Sequence, residues 1–335
     1  MALPNPAVAP TSRPRPPLKL VKTHNLSRER WLDVRKQGIG SSDAAAAVGL
    51  NPYKSPLELW LEKTGRDGNL PKADPYDEES PLYWGTLLEP IVAAHYTKRT
   101  GHRVRRINAV LQHPDPANHW MLANIDREVI GIRDVQILEC KTAGINGAKL
   151  WKDGVPEYVQ LQVMHQLAVT GKQAADVAVL IGGQHLEIYR IERDETLIGR
   201  LIELERHFWQ HVETDTPPPA DGTESADVAL RVLYPSDSGT TIDFSDNRNL
   251  SATFADWLSV RQTIADTEAL EAKLKQTLQQ AMGEASRALF ETGAVTWKKA
   301  KDSTGFDVAQ LLRDHPEFQQ RYAITKPGSR RFLVA

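Results

Sequence analysis

Two strand-prone runs that carry acids in otherwise apolar company constrain this chain more than any other feature. MLANIDREVI (121–130) and QILECKTAG (136–144) are joined through Gly131, Ile132, Arg133 and Asp134. Glycine and aspartate around a short link predict a β-hairpin. If Ile132-Arg133 forms the loop, paired residue numbers sum to 265 and Asp126 stands opposite Glu139. Opposed Cβ atoms in an antiparallel pair lie about 4.5–5.5 Å apart. Two carboxylates at that range repel unless a proton or a cation sits between them. Side chains two apart share a strand face, so Lys141 joins Glu139 while Cys140 points the other way. Such a set suits a hard divalent ion such as Mg²⁺, with the lysine beside it to act on a water or hold an attacked phosphate. On an arbitrary hairpin the same residues would read as a solvated charge ladder. Here Met121, Leu122, Ile125, Ile137 and Leu138 make both runs central, and charge in a central strand needs a reason.

Three helical segments add candidates. WGTLLEPIVAAHYTKRTG (84–101) predicts a helix opening near Thr86, with Thr86 and Glu89 as a capping box; Glu89 is then a cap, a metal ligand, or both. PEYVQLQVMHQLAVTG (156–171) predicts a helix with Tyr158, Gln162 and Gln166 on one stripe at intervals of four. A glutamine there orients a water or phosphate, or is a half-buried hydrogen-bonder. RERWLDVRKQGIGSSDAAAAVG (28–49) joins an arginine-bearing helix to a second short helix through a glycine turn. Ser41, Ser42 and Asp43 are N-cap types and Gly49 suits the helix end. Serine hydroxyls and free amides at a helix start bind anions, and Arg35 can add a bidentate contact to phosphate. Ordinary capping explains the same residues, and Asp43 opposes a phosphate unless it turns away.

Residues 1–22 are proline-rich without apolar periodicity and read as a flexible basic tail. Alternating helix and strand patterns over 23–215 suggest one α/β or α+β domain, closed by Pro217, Pro218 and Pro219, with 216–250 as linker. In 251–335, Phe254, Trp257, Val260, Ile264, Leu270, Leu274, Leu278 and Ala281 have the spacing of one long amphipathic helix. GAVTWKKA, FDVAQLLRDH and SRRFLVA follow as strand, helix and strand of a small αβ appendage. The net charge of −2 over 335 residues removes global basicity as an argument for a nucleic-acid partner. Basic clusters are local, at Arg28 to Lys36, Lys98 to Arg106, and Lys298 to Lys301 with Arg330 and Arg331, and each is equally readable as a solvated face. One cysteine, Cys140, excludes disulfide frameworks and thiolate-bound iron–sulfur clusters within a monomer. The absence of a signal-type segment or a long apolar run predicts a cytoplasmic chain with no membrane partner.

With these residues in hand, the chain resembles the YqaJ-type viral recombinase family, which belongs with lambda exonuclease in the PD-(D/E)XK nuclease superfamily. The matching pieces, in order over about residues 31–184, are WLDVRKQGIGSSDAAAAVGLNPYKSPLELWLEKTG, WGTLLEP, ANIDREV, ILECKTAG and YVQLQVMHQLAVTGKQAADVAVLIGGQ. The resemblance implies a restriction-endonuclease-like core, a central mixed β-sheet flanked by helices. It implies metal binding by Glu89, Asp126, Glu139 and the main-chain carbonyl of Cys140. Catalytic roles fall to Glu89, Asp126, Glu139, Lys141 and Gln162, with Gln160 the near alternative to the glutamine. Arg35 and Ser42 match residues that hold a DNA 5′-phosphate, beside Ser41 of the same turn. The implied activity is 5′-to-3′ exonuclease digestion of linear duplex DNA with two Mg²⁺ ions (Mn²⁺ as a substitute), leaving 3′ single-stranded tails for phage or prophage recombination. The implied partners are duplex ends bearing a 5′-phosphate, a homotrimeric ring, and a single-strand annealing protein in the bacterial host cell. A restriction-like or structure-selective endonuclease and a non-catalytic DNA-end-binding protein are the competing functions. Two departures stand out: Ile125 replaces the proline of the superfamily name, and residues 142–148 (TAGINGA) lack a second phosphate-binding arginine, which leaves Lys149 in its place.

Overall fold

In the computed structural model, which describes residues 16–325 and 328–334, the chain divides into two units, 1–235 and 236–335. The first begins β1 (Leu18–Lys22), α1 (Arg28–Lys36), β2 (Ile39–Gly40), α2 (Ala44–Ala47), α3 (Pro56–Lys63) and α4 (Pro81–Thr100). It continues β3 (Arg103–Arg105), β4 (Ala109–Gln112), β5 (Met121–Ala123), β6 (Arg127–Ile130), β7 (Ile137–Ala143) and α5 (Glu157–Thr170), and ends β8 (Ala174–Ile181), β9 (His185–Glu192), α6 (Glu195–Glu213) and α7 (Glu224–Leu233). Five strands form a mixed sheet in the order β3-β6-β7-β8-β9, in which β7 runs antiparallel to β6 and parallel to β8. A second sheet has the order β1-β4-β5-β2. This is the α/β architecture with a mixed sheet flanked by helices that the sequence predicts.

Alternation along β7 assigns its two faces. Leu138 packs with Val92, Ala93 and Tyr96 of α4, whereas Ile137 joins the larger core that holds Val159, Val163 and Leu167 of α5. Glu139 and Lys141 share the face of Ile137 and look toward α5, and Cys140 lies on the α4 side. The charged pair therefore occupies the interface between the central strand and one helix.

Several expectations are corrected in detail. The run 121–130 is two strands in two sheets: the chain leaves β5 at Ala123 and enters β6 at Arg127, with Asp126 at the break. The pairs Arg127↔Leu138 and Glu128↔Ile137 keep the predicted register, but the link is wider than two residues, since β6 ends at Ile130 and β7 begins at Ile137. Helix α4 starts five residues before Thr86, capped by Ser80. Thr86 is interior and donates to the Leu82 carbonyl, so the Thr86–Glu89 capping box does not form. The predicted tail 1–22 includes strand β1, which pairs antiparallel with β4; residues 1–15 lie outside the described part. The three prolines do not end the first unit. Within the predicted linker, α7 returns to α3, where the Ser225 hydroxyl accepts from the Ser55 amide at 2.7 Å and donates to Glu58.

The second unit consists of α8 (Arg248–Met282), the antiparallel hairpin β10 (Arg287–Phe290) and β11 (Gly293–Thr296), and α9 (Val308–Asp314) and α10 (Pro316–Tyr322). The apolar repeat lies within one long helix, whereas residues 329–334 take no regular structure. Among the described residues of this unit none is buried. No helix among the described residues is long and apolar enough to cross a membrane.

One glycine is dictated by close approach. A Cβ at Gly38 would fall within 3.0 Å of both the Trp120 carbonyl and the Leu122 side chain, where the chain passes from α1 into β2 alongside β5. The neighbour on one side is backbone and cannot yield. Gly38→Ala is expected to cost about 1–3 kcal/mol, read as a lower midpoint of chemical unfolding; an unchanged midpoint would refute the packing described here.

Candidate active site

The site grows from β7. Its alternation delivers Glu139 and Lys141 to one face, and the carboxylate of Glu139, only 3 % exposed, is then surrounded by donors. Lys141 Nζ lies 2.8 Å from Glu139 Oε1, and Gln162 Nε2 donates to the same oxygen at 2.5 Å. Gln166 Nε2 donates to Oε2 at 2.8 Å and also to the main-chain carbonyl of Asn124 at 3.2 Å. Gln162 closes the ring by accepting from Lys141 Nζ at 2.9 Å. The 158/162/166 stripe of α5 thus faces the strand as the spacing predicts: Tyr158 lies edge-on to Tyr53 at 5.8 Å, next to Lys141. Gln160 points away and donates to the Val155 carbonyl, so of the two it is Gln162 that meets Glu139 and Lys141.

Asp126 arrives from the break between the two sheets. Its Oδ2 accepts from the Cys140 amide at 2.8 Å, which holds it against the same strand. Burial, then the charge of Glu139, and at longer range that of Glu89, push its carboxyl up to about 8, against the pull of the Cys140 amide and Lys141. Lys141 is shifted in the opposite sense to what burial alone dictates: Glu139 and Asp126 outweigh desolvation and raise it, so it is a firmly held ammonium. The Cys140 thiol is pushed well above its ordinary value by burial and by the same two acids, which makes it a poor nucleophile.

Glu89 sits halfway along α4, not in its first turn, and its Oε1 accepts from Arg127 Nη1 and, at 3.2 Å, from Arg106. Arg127, 6 % exposed, also donates to the Asp126 carbonyl and so ties the α4 acid to the Asp126 segment. Among the described residues no group of three or more His, Cys, Asp or Glu side chains stands close enough to hold an ion together. Asp126 and Glu139 nevertheless fit a hard divalent cation. Both offer oxygen ligands, and their mutual repulsion is the kind a cation between them relieves. Glu89 reaches the same point only by sharing or leaving Arg127. Neither Arg127 nor Gln166 was singled out for the site by sequence. Arg127 directly follows Asp126 and Gln166 lies on the predicted stripe, so position was the available signal.

A second cluster lies at the turn after α1. Arg35 Nη2 donates to Ser42 Oγ at 2.8 Å and to Asp43 Oδ1 at 2.8 Å, while its guanidinium stacks over Trp31 at 4.9 Å. Asp43 turns inward, accepting from Lys63 Nζ at 2.7 Å and from the Gly40 amide at 3.2 Å. Burial alone would raise its carboxyl, but Arg35 and Lys63 overcome this and hold it well below the usual carboxylate range. Its charge is therefore neutralised from inside the protein. Ser42 is exposed, whereas Ser41 is buried with its hydroxyl lacking a partner among the described residues. Lys149 is exposed on the single turn after β7.

The raised Asp126 carboxyl has a consequence for stability. Because its folded value exceeds the unfolded one, the folded chain binds more protons between the two, and this group's contribution falls as pH rises through that window. Asp126→Asn keeps the shape and removes the charge. Without divalent ions it should raise the melting temperature near pH 8 by roughly 2–6 °C, with the gain shrinking towards pH 4; a gain independent of pH would contradict this electrostatic account.

Comparison with known proteins adds three findings. The family model described as YqaJ-like viral recombinase domain matches residues 30–173. Protein YqaJ of Bacillus subtilis (strain 168) is 34% identical over 312 residues, covering 90% of this chain and 92% of that protein. Among solved structures, an alkaline exonuclease (LHK-Exo) from Laribacter hongkongensis matches at 24% identity and a TM-score of 0.46, covering 56% of this chain and 93% of that one. A phage related exonuclease from Haemophilus somnus 129PT matches at 10% identity and a TM-score of 0.37, covering 55% and 99%.

Proposed function

The chain belongs to the YqaJ-like viral recombinase family, and from the geometry of the β7 site we propose that it is a Mg²⁺-dependent exonuclease that digests linear duplex DNA from the 5′ end and leaves a 3′ single-stranded tail. The observation that carries this reading is the convergence on β7 of Glu139 and Lys141, which share a strand face ordered by Gln162 and Gln166, with Asp126, held from the break between the sheets by the Cys140 amide. Asp126, Glu139 and the Cys140 carbonyl are the groups that would hold the metal, with Glu89 joining by release from Arg127. When bound, two such ions supply the positive charge that stabilises the attacking and leaving oxygens of an in-line phosphodiester displacement.

The protein's own residues account for the rest. Lys141, kept charged between Glu139 and Gln162, places an ammonium where it can donate to a phosphoryl oxygen or orient the attacking water. Gln162 holds that ammonium and Glu139 at once, which fixes the angle between them. Gln166 anchors Glu139 to the segment leading to Asp126, so the two acids move together. At the second cluster, Arg35 and exposed Ser42 are the donors suited to a terminal 5′-phosphate, and the inward turn of Asp43 removes the repulsion that would oppose it. A homotrimeric ring belongs to the same proposal; it is supported by the resemblance and by the exposed stripe Trp84, Leu87 and Ile91 on α4. The proposed single-strand annealing partner rests on the resemblance alone.

The test is incubation of the protein and Mg²⁺ with linear duplexes that differ only in 5′-phosphorylation, followed by release of nucleotides from each end. Shortening should start at the 5′-phosphorylated end and leave covalently closed circles intact; cutting of circles would replace the exonuclease reading with an endonuclease. Lys141→Ala should slow release by about two to four orders of magnitude while DNA-end binding persists, and undiminished release would remove the lysine from the mechanism.

A further inference from the structure

The most deeply buried titratable pair in the molecule lies behind the site, not in it. His165 and Glu205 are both fully buried, on α5 and α6 respectively. His165 Nδ1 lies 2.8 Å from Glu205 Oε1, and Nε2 lies 2.9 Å from the main-chain oxygen of Leu122 in β5. We propose that His165 is held as an imidazolium and serves as a positioning residue for the site, setting the distance between the helix that carries Gln162 and Gln166 and the strand that delivers Asp126. The positioning half of this inference rests on the nuclease reading above; the charge state does not.

The chemistry of the two partners carries the argument. A main-chain carbonyl only accepts, so Nε2 bears a proton. An ionised carboxylate also only accepts, so with Glu205 charged Nδ1 bears one too, and a ring with both nitrogens donating is cationic. The titratable groups facing this ring are Glu205 from α6, Asp43 from the turn before α2, and His113, after β4, which burial holds below its ordinary value. Burial alone would strip the proton from His165, and Glu205 with the Leu122 carbonyl outweighs it.

The link to the site is one residue long. His165 is followed by Gln166, which donates to the Asn124 carbonyl and to Glu139. Consecutive residues of α5 therefore dock on two carbonyls of the 122–124 stretch, and Asp126 lies two residues beyond it. Displacing His165 shifts the helix that aligns Glu139 and Lys141 through Gln162 and Gln166. No sequence signal singles the pair out, because a histidine in an apolar helix and a glutamate forty residues later do not announce each other.

The test uses the full chain with nitrogen-15-labelled histidine and glutamine. At about pH 8, above the ordinary histidine value of about 6.5, the two ring nitrogens of His165 should both show the protonated shift; a neutral tautomer there overturns the assignment of charge. Glu205→Gln lets an amide donate to Nδ1 of a neutral ring, which keeps the ring in place without its charge. It should therefore leave the side-chain amide resonances of Gln162 and Gln166 where they are and the turnover rate within about threefold. His165→Phe should move those resonances and lower kcat about ten- to a hundredfold with KM for DNA unchanged. Unmoved glutamine resonances in a folded His165→Phe overturn the positioning role. If the wild-type chain releases no nucleotides at all, the nuclease reading fails, and the ring shifts and glutamine resonances still decide this inference.

Discussion

The buried carboxylate of Glu139 is the constraint around which the first unit is organised. Placing an acid in the central strand of a mixed sheet is tolerable only if every lone pair it turns inward finds a donor. Lys141 comes from the same strand, two residues on, because strand periodicity gives it the same face. Gln162 and Gln166 come from α5, four residues apart, because helical periodicity gives them one stripe. The two periodicities meet at one carboxylate, so helix and strand cannot slide past each other without exposing a buried charge. The same contacts that make the site a site therefore also specify the packing of α5 on the sheet.

What could be read from sequence follows from this. The β6–β7 register and the shared face of Glu139 and Lys141 depend on local pairing, and the 158/162/166 stripe depends on helix period alone, so each was legible; the expected Asp126–Glu139 ladder pair was not formed, because the strand begins one residue after Asp126. The start of α4 was not legible, because Ser80-Pro81 and Thr86-x-x-Glu89 are both plausible openings; in the fold the Ser80 hydroxyl accepts from the Leu82 amide while the Thr86 hydroxyl donates to the Leu82 carbonyl inside the helix. The break between β5 and β6 was hidden because 121–130 reads as one strand-prone run; only pairing with two different sheets divides it. The clasp of Arg127 on Glu89 and the pair of His165 with Glu205 join residues 38 and 40 positions apart, and no local pattern encodes such meetings. The resemblance supplied roles for residues whose contacts it could not describe.

The turn after α1 shows the same logic in a second place. Asp43 looked like an obstacle to anion binding as long as its direction was unknown. Its inward ion pairs with Arg35 and Lys63 convert it into a support, since it fixes the guanidinium whose other contact is exposed Ser42. Lys63 is itself buried and donates to the Arg35 carbonyl at 2.9 Å, so α3 braces the end of α1. An arginine braced by its neighbours loses less conformational freedom when it meets a phosphate than a free one does.

Comparing the acids of the first unit isolates the one that is different. Asp43 is neutralised by Arg35 and Lys63, Asp176 by Arg190 with the Tyr96 hydroxyl, Glu205 by His165, and Glu139 by Lys141. Among the described residues, no Lys, Arg or His closes an ion pair with Asp126; the one hydrogen bond its carboxylate accepts comes from a main-chain amide. A protein that was only maximising stability would gain by replacing a partly buried carboxylate pressed against another acid, since that arrangement raises its proton affinity and weakens the fold at neutral pH. Retaining it makes physical sense if a positive charge from outside the chain completes the set; Asp43, Glu139, Asp176 and Glu205 each already have a basic partner within the chain. The unbalanced aspartate, more than the number of acids in the neighbourhood, is what the proposed metal site rests on.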